Sequence, residues 1–165
     1  MGLEHNIPTD IMYYTLEMFY EDSEILLQQI RKASFDSVLA IANGGIPLGT
    51  FLSKNLNIPL FTITIKSYCE FVQKEIKIIA QPPWEEIKTH KILVVDDLID
   101  NGGTITCLKE VLAQNNIINF KIAVLIDKCK NSSVKPDYYS RICTQWIAFF
   151  WEKEFFSNKK APGVR

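Results

Sequence analysis

The stretch Ile92-Leu93-Val94-Val95-Asp96-Asp97-Leu98-Ile99-Asp100-Asn101-Gly102-Gly103-Thr104 restricts the fold more than any other part of the chain. A short apolar run ends in two adjacent carboxylates, a third follows three residues on, and a Gly-Gly-Thr turn opens a helix. Adjacent Asp side chains at the end of a buried strand repel each other. Desolvating either is costly unless a cation or hydroxyl groups receive it. Glycines let backbone N–H groups close around a small anion at a helix N-terminus, where the dipole also favours negative charge. Carboxylates suited to a metal or a diol, beside such a cradle, describe a site for a phosphorylated sugar.

The same plan recurs along the chain. Residues 17–33 read as a helix, with Phe19, Ser23, Leu26, Ile30 and Ala33 on one stripe. Ser37 to Ala42 is a buried strand, followed by Asn43-Gly44-Gly45 and a helix that starts near Pro47 and runs to about Asn57. Strands are expected at 60–65, 92–95 and 120–126, with a helix from Thr104 to Gln114. Strands separated by ten-residue helices imply right-handed crossovers and an α/β fold, a mainly parallel central sheet with helices on both faces. Ligands bind such sheets beyond the C-terminal strand ends, where both Gly-Gly turns fall. Residues 66–89 are polar, contain Pro82-Pro83 and lack a clean period, so a mobile functional loop is expected there, with hairpin character around Glu75–Ile79. Beyond residue 152 the pattern fails and a tail is expected.

At 165 residues the chain is expected to be one domain, able to bury a core without staples. Hydrophobic residues make up 47% and the net charge is −1, which argues against a disordered chain and against an electrostatic nucleic-acid binder. No apolar run approaches a membrane span, and the first residues lack a charged-then-apolar leader pattern. Cys69, Cys107, Cys129 and Cys143 have no CxxC pairing, so free thiols in a reducing cytoplasm are expected. GxGxxG and GxxxxGK[ST] are both missing, and His5 and His90 are isolated, which removes dinucleotide, P-loop and triad chemistry.

The residues Asp96 to Thr104 resemble the signature of the type I phosphoribosyltransferases, an apolar strand, two acidic residues and a Thr-Gly-Gly-Thr-like loop. Asn101 stands where that family usually has Thr. The resemblance covers roughly residues 13–152 and is best with the bacterial xanthine-guanine and hypoxanthine (6-oxopurine) enzymes. It implies a flexible catalytic loop, a small hood, and transfer of ribose 5-phosphate from phosphoribosyl pyrophosphate (PRPP) to a purine base in salvage. The implied cofactor is Mg²⁺, and the implied assembly is a homodimer or homotetramer. Asp96 and Asp97 would serve the metal and the ribose hydroxyls, and Asp100 the purine proton as catalytic group. Asn101, Gly102, Gly103 and Thr104 would cradle the 5′-phosphate. Asn43, Gly44 and Gly45 match a loop that binds pyrophosphate through backbone amides, with Asn43 in place of the usual basic residue. Ser67-Tyr68 opens the catalytic loop, and Lys74 matches its later basic residue.

For the base, Lys128 follows the strand Ile122 to Ile126, where a lysine in the 6-oxopurine branch bonds O6; Lys130 is also near, but position favours Lys128. Trp146 and Ile147, after Pro136-Asp137-Tyr138-Tyr139, match the stacking ring and the purine-edge backbone groups, with Phe150 where relatives often have Pro. Competing readings are an orotate or adenine transferase, a non-catalytic nucleotide sensor of the same fold, and a metal-dependent phosphosugar enzyme of unrelated chemistry. The last leaves Lys128 and Trp146 unexplained.

Overall fold

Five consecutive residues, Ser37-Val38-Leu39-Ala40-Ile41, are buried without alternation, as a strand covered on both faces must be. The computed structural model describes residues 10–70, 73–128 and 134–153, and the backbone alone at 66–70 and 73–76. Along the chain come β1 (Ile11–Tyr14), α1 (Leu16–Ile30), β2 (Ser37–Ile41), α2 (Ile46–Leu56), β3 (Leu60–Glu70) and β4 (Gln73–Ala80). These are followed by α3 (Trp84–Ile87), β5 (Ile92–Ile99), α4 (Gly103–Gln114), β6 (Phe120–Asp127), β7 (Tyr138–Ile142) and β8 (Trp146–Phe149).

Among the described residues, six strands form a sheet in the order β4-β3-β2-β5-β6-β7. All neighbours are parallel except β3 and β4, which are antiparallel. Leu39 and Ile41 share a core cluster with Ile105, Leu108, Val111 and Leu112 of α4. Gly49 of α2 approaches the other face of β2 so closely that a Cβ would lie 2.8 Å from that of Ala40. Successive strand residues point to opposite faces, so α2 and α4 cover opposite sides of the sheet. This is the α/β arrangement expected from the periodicity.

The backbone divides into two compact units, residues 22–143 and residues 1–21 with 144–165. In the smaller one β1 and β8 pair in parallel, Ile11 opposite Trp146 through Tyr14 opposite Phe149. Tyr14 is fully buried and meets the Phe149 ring edge-on at 5.1 Å, while Phe149 and Trp151 stack at 4.6 Å.

Two expectations are corrected. The strand expected at 92–95 continues to Ile99, so the Asp pair lies within it. Pairing with β2 stops at Val95, but pairing with β6 continues to Ile99 opposite Asp127. The carboxylates themselves occupy the local N–H groups, Asp96 Oδ1 accepting from Asp97 N at 2.9 Å and Asp97 Oδ1 from Leu98 N at 2.7 Å. The segment expected as a loop at 66–89 has the hairpin character expected around Glu75–Ile79 but over a longer span: it forms much of the β3–β4 ribbon, from Lys66 opposite Lys77 to Glu70 opposite Gln73, and then α3 with Ile87 buried. Ladder bonds are made by the backbone whatever the side chains, so a ribbon can form without the one-faced apolar period that betrays a core strand. The expected tail beyond 153 lies outside the described residues.

Candidate active site

Parallel strands β2, β5 and β6 finish on one edge of the sheet, and the candidate residues of the larger unit follow from that. At the end of β2 the Ala42–Asn43 peptide bond is cis, Asn43 is exposed, and its carbonyl accepts from Ile46 N at 3.1 Å. Gly44 lies directly against Asp97: a Cβ there would be 2.2 Å from Asp97 Oδ2 and 2.5 Å from its Cγ. Gly45, the residue before α2, is confined by backbone, with the Val95 carbonyl oxygen 2.3 Å and the Ile41 carbonyl oxygen 2.8 Å from where a Cβ would stand. The first Gly-Gly turn, more than fifty residues away in sequence, thereby meets the acidic pair of β5.

The second turn closes differently. Gly102 takes a left-handed conformation, φ 76° and ψ 3°, which L side chains rarely adopt. Asn101 Oδ1 accepts from Gly103 N at 2.9 Å, and Gly102 O begins α4 by accepting from Thr106 N at 2.9 Å. The amides of Thr104 and Ile105 head the helix beside a cavity of about 190 Å³ lined by the continuous run Asp96–Ile105. A small anion fits that place, since amides, helix dipole and the exposed Thr104 hydroxyl all favour it.

Asp100 and Asn101 are exposed at the mouth, while Asp96 and Asp97 are half-buried. Burial first, and the neighbouring Asp97 charge second, hold the Asp96 carboxyl well above the usual carboxylate range. A divalent cation would relieve both causes. Two carboxylates lining a cavity where a small anion would fit are the donor set a Mg²⁺ ion would share with a phosphorylated substrate. The residues present fit that ion.

Lys128 is half-buried just past the end of β6, and its N–H donates to Ile99 O at 2.9 Å. That bond holds Lys128 at the strand end adjoining Asp100. Its neighbour Asp127 is a buried carboxylate, 7% exposed, in register with Ile99. Its signal in the sequence is an acidic residue closing an otherwise apolar strand. Of Lys74 only the backbone is described, opposite Cys69. Trp146 and Ile147 belong to the smaller unit, where Trp146 is 52% exposed and Ile147 is buried on β8.

The family model named phosphoribosyl transferase domain matches residues 12–155, and the chain belongs to that family. The hypoxanthine-guanine phosphoribosyltransferase of Lactococcus lactis is 36% identical over 107 residues, which are 61% of this chain and 57% of that protein. The crystal structure of the purine phosphoribosyltransferase from Pyrococcus horikoshii superposes with a TM-score of 0.80 at 30% identity, covering 88% of this chain and 96% of the other. The xanthine-guanine-hypoxanthine phosphoribosyltransferase of Helicobacter pylori superposes with a TM-score of 0.74 at 28% identity, covering 87% and 96%. The protein is a phosphoribosyltransferase, and the proteins it is similar to include xanthine-guanine, hypoxanthine-guanine and orotate phosphoribosyltransferases.

Proposed function

We propose that the protein transfers the 5-phosphoribosyl group of PRPP to a 6-oxopurine, releasing pyrophosphate, as a Mg²⁺-dependent salvage enzyme of the cytoplasm that works as a homo-oligomer. The observation that carries the reading is Lys128, tied by its backbone to Ile99 and so held next to the Asp100 strand end. An ammonium donates to a carbonyl at purine C6 and meets the amino group of adenine donor to donor. The names of the similar proteins, purine, hypoxanthine-guanine and xanthine-guanine, support the same base class.

In this reading the bond from the anomeric carbon to pyrophosphate breaks, and a bond to the purine nitrogen forms through an oxocarbenium-like transition state. Asp96 and Asp97 serve the ribose hydroxyls and Mg²⁺, which when bound offsets charge on the departing pyrophosphate. The amide of Gly44 serves the pyrophosphate, joined by Lys74 from the ribbon; the Gly45 N–H expected beside it instead donates to Ile41 O at 2.8 Å. Asn101 through Thr104 hold the 5′-phosphate, and Asp100 accepts or hydrogen-bonds the proton of the incoming base. Trp146 and Ile147 keep the base-binding roles that the resemblance implies.

The test is PRPP consumption with hypoxanthine, guanine, xanthine, adenine and orotate, for the parent and for Lys128→Met. The parent is expected to prefer oxopurines, by up to roughly 10⁴-fold where a buried donor is left unpaired. Lys128→Met should narrow the gap to adenine. A parent that prefers adenine or orotate, or a variant with all rates unchanged, overturns the assignment.

A further inference from the structure

The first Gly-Gly turn meets Asp97 more closely than any side chain there would allow, and conformation does not require that glycine. Among the described residues Gly102 is the glycine with a positive φ; Gly44 has a backbone that an L residue can adopt. What Gly44 lacks room for is a Cβ, because Asp97 Oδ2, Cγ and Oδ1 would stand 2.2, 2.5 and 2.9 Å from it. The obstruction is the far end of a side chain, and that end can swing away. Gly45 beside it is obstructed by the carbonyls of Val95 and Ile41, which cannot.

We propose that Gly44 is a positioning residue: its bare Cα is the seat of the Asp97 carboxylate, so the first turn sets the aim of the acidic pair on the second. Asp97 is held from one side by its own Oδ1, which accepts from Leu98 N at 2.7 Å, and from the other by the flat surface of Gly44. A methyl group at position 44 displaces the carboxylate while leaving the turn's amides in place. The inference rests on the PRPP reading for its functional consequence, but the seat itself is a packing statement that can be tested without any ligand.

The experiment uses Gly44→Ala, Asp97→Ala, the double variant, and Gly45→Ala with and without Asp97→Ala. PRPP affinity is measured by calorimetry with and without magnesium, and Tm is measured for the free protein. Gly44→Ala is expected to keep a Tm close to that of the parent and to lose PRPP affinity by the same factor as Asp97→Ala, on the order of tenfold or more in magnesium. The double variant should bind no more weakly than either single one, and any loss of Tm from Gly44→Ala should vanish when Asp97 is already Ala. Gly45→Ala should lower Tm whether or not Asp97 is present. If Gly44→Ala binds PRPP like the parent, or if its effect adds in full to that of Asp97→Ala, Gly44 is not a seat for Asp97. If the parent and Asp97→Ala bind PRPP equally, the functional reading of the carboxylate pair fails. In that case the Tm comparison still decides the seat, because a Gly44→Ala penalty of equal size with and without the Asp97 side chain overturns it.

Discussion

Asn-Gly-Gly occurs twice, at 43–45 after β2 and at 101–103 after β5, and each copy leads from a parallel strand into a helix. In the first copy glycine supplies room: Gly44 and Gly45 have ordinary backbone angles, and their missing Cβ positions are filled by the Asp97 carboxylate and the Val95 carbonyl. In the second copy glycine supplies a dihedral angle: Gly102 is left-handed, while a Cβ on Gly103 would meet just one near atom, Asn101 Oδ1 at 3.1 Å. The asparagines differ too. Asn43 contributes its backbone carbonyl to the turn, and Asn101 contributes its side-chain oxygen. Identical letters thus perform different physical tasks, one packing two strand ends together and the other opening a helix beside the carboxylates of β5.

The sharpest division between the copies is chemical, and it gives the largest expected effect. Asp100 immediately precedes the second Asn-Gly-Gly and is exposed at the cavity mouth, whereas the first is preceded by the uncharged Ala42. Asp100→Asn is therefore expected to lower turnover by roughly 10²–10⁴-fold, the range for a general base, while PRPP affinity and Tm stay near those of the parent. Steady-state rates and calorimetry check this. An unchanged turnover number would remove Asp100 from proton handling and leave the second loop as an anion cradle alone.

The stability contrast comes next. Gly45→Ala presses a methyl group between two carbonyls, and overpacking against backbone of this kind costs about 3 kcal/mol. Gly102→Ala forces an L residue into the left-handed region, at about 1–2 kcal/mol. Urea midpoints of the two variants should therefore rank Gly45→Ala below Gly102→Ala. The reverse ranking would show that the dihedral angle, and not the room, is the costlier demand.

Much of this was legible in the sequence. The apolar runs near 37, 92 and 120 gave the parallel strands because strands buried on both faces read as unbroken hydrophobic stretches. The site followed from the Asp pair and the second turn, whose letters carry electrostatics and helix-end geometry directly. Other features depend on partners far away in sequence. The β1–β8 pair joins residues 11–14 to 146–149, and no local pattern announces such a partner. Of the β3–β4 ribbon only the hairpin character around Glu75–Ile79 was legible, and its full length was not, since its ladder is backbone and its side chains keep no strict alternation. The task of Gly44 was hidden for both reasons at once: its neighbour Asp97 is distant in sequence, and a glycine chosen for room looks like a glycine chosen for flexibility.

The smallest expected effect separates the strands that carry the two turns. β2 ends in Ile41 and is followed by Ala42, but β5 carries Asp96, whose carboxyl is held well above its usual range by burial and by Asp97. A carboxyl raised in the fold favours folding when protonated, so its contribution is present below the unfolded value and is lost as pH rises through the folded one. At neutral pH the half-buried Asp96 has therefore lost stability relative to acid pH in the free protein, and an amide of the same shape has not. Asp96→Asn should raise the Tm of magnesium-free protein at pH 7.5 by about 2–4 °C, the shift that ~1 kcal/mol produces in a domain of this size. The gain should shrink as pH falls and be smallest at the acid end of the series. Adding Mg²⁺ and PRPP should reverse the order, because the parent's carboxylate then has a cation to meet and the amide has none. Melting curves from pH 4 to 8, with and without ligand, check each part. A gain that is constant across pH would mean that the amide packs better for reasons unrelated to charge. A parent that is more stable than the variant at pH 7.5 without ligand would mean that β5 bears no electrostatic cost at this position.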